Sequence, residues 1–302
     1  MSAGFRNIRE YVDAYESGQT FFTMVRKGRQ TALMTSTSVW FDWTTMAGYP
    51  TANFYASAPL VAAVMDNGIR IPIPSVSPKS QFLKSLALCV DGNNATTVYG
   101  SSLTHWLLDY LLYYPFVDAT AVDEVQLMDN SATLPRYTDG AGVQMMLVAQ
   151  SAIAGGAGLT GSITYINQDG VQKTTPNFNV GGAAYAGVLQ NTATAISFGI
   201  PFVQLALGDS GVRRVVSATF TADAGGILAI VLVKPLYMDA TTDATSLLTT
   251  NTQRFGSFAK TEFVIEKQPI KIEDGAFLGF ISWLVNDSRS TQLTAAIETI
   301  WN

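Results

Sequence analysis

Residues 196–235 read ISFGIPFVQLALGDSGVRRVVSATFTADAGGILAIVLVKP, and the fold class turns on them. Apolar runs rich in branched and aromatic side chains are cut by turn residues at 208–211 and 223–226, a pattern that predicts three consecutive strands. In the middle run Val212, Arg214, Val216, Ala218 and Phe220 share one parity, yet Val215 lies on the other, so the alternation is imperfect. The last run, 227–233, is apolar on both faces and reads as a strand covered on both sides. Periodicity alone leaves a buried helix open there, and Gly225 and Gly226 just before it favour the strand.

Outward from this stretch the same spacing continues. Strand candidates fall at 143–150, 162–167, 172–178, 196–198, 202–207, 212–221, 227–233, 260–266, 277–284 and 295–301, with turns such as Gln168-Asp169-Gly170 and Asp274-Gly275 between them. Strands without alternating helices indicate a mainly β fold, an antiparallel jelly-roll-like β-sandwich. The expected division is an extended, partly helical N-terminal arm with a small α/β subregion over 1–134, and the sandwich over 135–302.

The N-terminal part is less regular. Phe5, Ile8, Val12 and Tyr15 recur at helical spacing, and Ser17 and Gly18 stop the pattern. Strand fragments follow at 21–25 and 38–43. Trp40, Phe41, Trp43, Tyr49, Phe54 and Tyr55 then crowd together, while Pro50, Pro59, Pro72, Pro74 and Pro78 keep the region extended. The aromatic cluster suits either a sugar-stacking platform or an anchor of an arm against its own domain or a neighbouring subunit, and the anchor is favoured. Residues 81–90 read as a strand, and 103–114, apolar on nearly every side and ended by Pro115, as a buried helix.

Composition bounds the function. Charged residues are 14% of the 302-residue chain, against roughly 25% in an average soluble domain. A surface so poor in ions is either made of Thr, Ser, Asn, Gly and Ala or covered by other copies or a partner, and the second is favoured. The net charge of −5 and the short basic patch around Arg26, Lys27 and Arg29 argue against wrapping nucleic acid. No apolar stretch reaches the ~18 to 20 residues that a spanning helix needs, and the N-terminus lacks a signal core, so no membrane role is expected. Synthesis in a cytoplasm, without export through a secretory route, follows as the simplest expectation.

Chemical motifs are sparse. Gly208-Asp209-Ser210-Gly211 resembles the nucleophile loop of trypsin-like serine proteases, but Val212 and Arg213 follow it, and the lone histidine, His105, sits in an apolar segment. A tight turn is the better reading, with Asp209 and Ser210 capping N–H groups and Gly211 at positive φ. One histidine and one cysteine, Cys89, do not make a zinc site, and Cys89 reads as a buried small hydrophobe. Asp118, Asp123, Glu124 and Asp129 fit no EF-hand spacing. No catalytic residue, cofactor or metal is expected.

Taken together, Trp40-Phe41-Asp42, Gly48-Tyr49-Pro50, Phe54-Tyr55-Ala56, Tyr137-Thr138-Asp139-Gly140, Gly208-Asp209-Ser210-Gly211 and Ile300-Trp301-Asn302 give a chain that resembles tailed-bacteriophage virion structural proteins. The resemblance is one of segment pattern across most of the chain. It implies a non-enzymatic capsid-associated protein of cement or decoration type, located in the virion and partnered by capsid proteins, a homo-oligomer that binds neither nucleic acid nor membrane. Major capsid or tail proteins are alternatives within that class, and a carbohydrate- or receptor-binding jelly roll is one outside it. Trp40, Trp43, Tyr49, Phe54 and Tyr55 are the expected partner-interface residues.

Overall fold

The computed structural model describes residues 4–28, 39–65, 71, 73–93, 102–154, 160–181, 186–187, 189, 200–240, 242–243, 254–263, 269–284 and 292–302. Helix α1 (Ile8–Glu16) precedes the strands. In chain order these begin with β1 (Thr20–Lys27), β2 (Val39–Asp42), β3 (Gly48–Tyr49), β4 (Ala63–Val64), β5 (Gln81–Asn93) and β6 (Ser102–Asp118). They continue with β7 (Gln126–Leu127), β8 (Gln144–Ala149), β9 (Thr160–Asn167), β10 (Gln172–Thr174), β11 (Phe178–Asn179) and β12 (Val212–Phe220). The last are β13 (Ile227–Ala240), β14 (Thr242–Asp243), β15 (Arg254–Glu262), β16 (Ile270–Ile272), β17 (Leu278–Leu284) and β18 (Gln292–Trp301).

The protein is mainly β, and its strands form three antiparallel sheets in a sandwich-like arrangement. A seven-stranded sheet runs β14-β15-β5-β18-β1-β3, with β16 also on β5. A six-stranded sheet runs β2-β17-β6-β13-β8, with β4 also on β6. A five-stranded sheet runs β10-β9-β12-β7, with β11 also on β9. Strands from either side of residue 134 alternate in the larger sheets: β5 lies between β15 and β18, and β6 between β13 and β17.

The six-stranded sheet is buried on both faces, which is what the doubly apolar run 227–233 demands. Leu228, Ile230 and Leu232 of β13 join one core cluster, whereas Ala229, Val231 and Val233 join another. The first cluster also takes Leu86 and Ile297 from the seven-stranded sheet and Tyr165 and Phe220 from the five-stranded sheet. The second is closed by Tyr55, Met65, Leu189 and Phe202. Each buried Leu or Ile contributes about 1.5–3 kcal/mol, so this sheet holds the layers together.

Two expectations for this region are corrected. Residues 103–114 are not a helix but the middle of β6, which pairs with β13 along one edge and β17 along the other. A strand covered on both faces has the same all-apolar signature as a buried helix, and its partners, more than a hundred residues away, decide the matter. Residues 202–207 form no strand: Phe202 and Val203 plug the core, and the Val203 N–H donates to the Met145 carbonyl at 2.9 Å. The expectation for 196–198 lies outside the described residues.

The imperfect alternation in 212–220 has a physical cause. Register shifts fall between Val212 and Arg214 and between Val215 and Ser217, each inserting a residue into β12 opposite β9. The buried apolar positions therefore run Val212, Val215, Ala218, Phe220, stepping by three across each bulge.

Candidate interaction surface

The aromatic cluster of residues 40–55 divides into two groups. Trp40, Trp43 and Tyr55 are buried, whereas Tyr49 and Phe54 are 56% and 61% exposed. Asp42, at the end of β2, explains the buried group. Its carboxylate accepts hydrogen bonds from the Thr44 N–H (2.9 Å), the Thr44 hydroxyl (2.7 Å), the Tyr110 hydroxyl (2.8 Å) and the Tyr55 hydroxyl. Burial raises the Asp42 carboxyl above its ordinary range, while the bonds from Tyr55, Thr44 and Tyr110 pull it down. Burial, then the nearby Asp42 charge, pushes the Tyr55 and Tyr110 hydroxyls well up, so both stay protonated donors.

Trp43 Nε1 donates to Ser282 Oγ at 2.7 Å, and His105 Nδ1 lies 2.6 Å from the same hydroxyl. The buried Lys27 ammonium donates to the Pro50 carbonyl at 2.6 Å and to those of Met46 and Thr51 at 3.3 Å. Burial lowers its pKa to about 8. These contacts tie the chain between β2 and β4 to the body of the protein. Trp40, Trp43 and Tyr55 therefore anchor the arm against its own domain, which corrects their assignment as partner contacts: groups already enclosed have no surface to offer.

Two exposed apolar side chains that sequence reading did not single out, Phe22 and Met24, lie on the outer face of the seven-stranded sheet. Along β1, Thr23, Val25 and Lys27 turn inward, while Phe22 and Met24 are 59% and 52% exposed. Both parities of this strand carry apolar groups, so alternation gave no signal. Tyr49 on β3 is the cross-strand partner of Arg26 and extends the row. Half-buried Cys89, expected to be buried, stands opposite Thr294 on β18.

Helix α1 borders this row. Asn7 caps it, its side chain accepting from the Glu10 N–H, and Ala14, Tyr11 and Phe5 pack on Phe82 and Ile300. The packed stripe is therefore not the one the helical spacing suggested: Ile8, Val12 and Tyr15 face outward. The Tyr15 ring lies 4.9 Å from Lys84 Nζ, which pairs with Glu298, the cross-strand partner of Phe22. Tyr15 of the helix and Phe22 of the strand thus flank the Lys84–Glu298 ion pair.

The GDSG turn is structural. Asp209 accepts from the Tyr165 hydroxyl (2.5 Å) and from Asn167 Nδ2 (2.8 Å), and the Ser210 and Gly211 N–H groups donate to Gln168 Oε1. The positive φ falls on Gly208, at 91°, instead of Gly211. Gly211 is required for close approach, since a Cβ there would stand 1.9 Å from the Gly140 carbonyl oxygen. Among the described residues no group of three or more His, Cys, Asp or Glu side chains is arranged to hold a metal, and no helix is long and apolar enough to cross a membrane.

No protein-family model matches the chain, and no curated protein matches it. Among solved structures it is similar to the VP2 subviral particle of infectious bursal disease virus, at 8% identity and a TM-score of 0.19, covering 93% of this chain and 80% of that one. The Gx strain structure of the same virus gives 11% identity and a TM-score of 0.20, covering 94% and 80%. Likeness at these scores carries no argument about fold or role.

Proposed function

We propose that this chain is a non-enzymatic virion structural protein of cement or decoration type, which packs on or between capsid subunits and stabilises a phage shell. The observation that carries the reading is the outer face of the seven-stranded sheet, where Phe22, Met24 and Tyr49 are exposed, together with the exposed Ile8, Val12 and Tyr15 of α1, which packs on Phe82 and Ile300 of that sheet. A chain that buries both faces of its central sheet has apolar side chains enough for its own core, so an additional exposed apolar field is suited to burial against another protein. The low charged fraction, 14%, supports the same reading, because charged residues are depleted at the centres of protein interfaces.

Size-exclusion chromatography with light scattering on the purified chain, alone and with the double substitution Phe22→Ser/Met24→Ser, tests this. A discrete dimer or trimer that the substitution dissociates is the expected result. Spontaneous shells or tubes would redirect the role to a major capsid or tail protein. A wild-type chain that stays monomeric would remove the association reading and favour a carbohydrate- or receptor-binding module.

A further inference from the structure

A second surface feature lies far along the chain from α1 and β1 and is independent of the capsid reading. Beside the five-stranded sheet is an open hollow of ≈ 360 Å³, lined by residues that include Thr133, Leu134, Thr138, Ile166, Arg213 and Arg214. Its size falls in the range of small-ligand pockets. Consecutive residues of a regular strand point to opposite faces, but the bulge between Val212 and Arg214 brings Arg213 and Arg214 to one hollow.

The two guanidinium groups have different tasks. Arg213 Nε donates to the carbonyls of Asp139 (3.0 Å) and Gln168 (3.1 Å), and its terminal nitrogen donates to Gln168 at 2.5 Å. It is fixed by neutral acceptors, so its charge is held in place without being cancelled. The neighbouring carboxylates are engaged elsewhere: Asp139 accepts from the Ala141 N–H and Asp169 from Gln168 Nε2. Arg214 is exposed, and no hydrogen bond or ion pair engages it among the described residues.

The walls are also set in advance. Arg136 forms a two-pronged pair with buried Asp109, at 2.8 and 2.6 Å, and donates to the Tyr110 carbonyl, which pins the loop carrying Thr133, Leu134 and Thr138. Among the described residues the lining contains no carboxylate. Two adjacent cations, two exposed threonine hydroxyls and an apolar floor of Leu134 and Ile166 make a site with donors for an oxyanion and a flat surface for the body that carries it.

We propose that this hollow binds a compact oxyanion-bearing ligand, a carboxylate, sulfate or phosphate group on a small polar body, with Arg213 as the fixed cation and Arg214 as the mobile one that closes on it. Calorimetric titration of the full chain with inorganic phosphate, glucuronate and glucose tests the assignment. Saturable binding of phosphate or glucuronate, weakened by added NaCl, with glucose silent, is the expected result. Phosphate binding alone would identify a free oxyanion as the source, and tighter glucuronate binding an acidic sugar; both support the site. Arg214→Gln should weaken binding about tenfold or more, as loss of a charged hydrogen bond does, and Arg214→Lys should retain part of it. Arg214 makes no hydrogen bond of its own, so a thermal melt of Arg214→Gln should match the parent chain and separate loss of binding from loss of fold. Unchanged affinity in Arg214→Gln, glucose binding as well as glucuronate, or no saturable binding of either anion would overturn the proposal.

Discussion

The second face of the six-stranded sheet and the outer face of the seven-stranded sheet are built from similar residues and meet opposite fates. On the first, Trp40, Tyr55, Tyr110 and Tyr113 are covered by the segments that carry Met65, Leu189 and Phe202. On the second, α1 covers Phe82 and Ile300 and leaves Phe22 and Met24 exposed. Residue type does not separate the two. Coverage does, and coverage depends on polar groups that hold loops in place: Asp42 and Lys27 bind the chain after β2 across one face, and the described residues place no comparable clamp over β1. The clamp encloses the aromatic side chains that point to it, such as Tyr55 and Tyr110 on Asp42, and leaves Tyr49 and Phe54 of the same segment exposed.

The sharpest way to break that contrast is to remove the clamp. Asp42→Leu leaves the Tyr55 and Tyr110 hydroxyls and the Thr44 N–H without their acceptor in a buried site, and should cost about 3–5 kcal/mol in a denaturant melt. A loss below about 1 kcal/mol would mean that apolar packing alone holds the arm.

Lys27 sharpens it through pH. Its folded pKa is lowered to about 8 from 10.5. Between those values the unfolded chain binds a proton that the folded chain lacks, so stability rises with pH across this window, by up to about 3 kcal/mol. Lys27→Met should remove the rise, read as the difference between the two stability–pH curves. Parallel curves would place the ammonium in a better solvated site than its burial implies.

The smallest effect on stability belongs to the outer face. Phe22→Ser and Met24→Ser should each change stability by only about 0.5 kcal/mol or less while altering association. A large loss of stability would make that face part of the core.

The sequence disclosed the architecture best where the pattern was local. The runs read as strands at 81–90, 143–150, 162–167, 227–233, 277–284 and 295–301 each fall on a strand, although β5 continues to Asn93 and β13 to Ala240, and α1 is announced by its spacing and stop. It failed where a distant partner decides. Residues 103–114 carry helix and buried-strand signatures at once, and only β13 and β17 select the strand. The interaction surface was hidden for a related reason: the segment 40–55 is densely aromatic, yet Asp42, one ordinary-looking acid, holds Tyr55 inward, and Ser282, far along the chain, holds Trp43. Phe22 and Met24 sit in a short strand apolar on both parities, where nothing local says which face is covered. The arginine hollow needed a bulge, which imperfect alternation in 212–220 signals without saying what it brings together.

The strand order also constrains how the chain comes to be folded. β5 finds its neighbours in β15, β16 and β18, and β1 in β18 and β3, so the centre of the seven-stranded sheet does not exist until synthesis reaches residue 301. β6 waits similarly for β13 and β17. Until then Ser102–Asp118, the longest strand among the described residues, lacks both of its long neighbours and has only the two-residue β4 beside it. Loops of this length close slowly, and unpaired apolar edges associate between chains. Assembly of the fold is thus a late, whole-chain event, and the interval before it is when this protein is most exposed to aggregation.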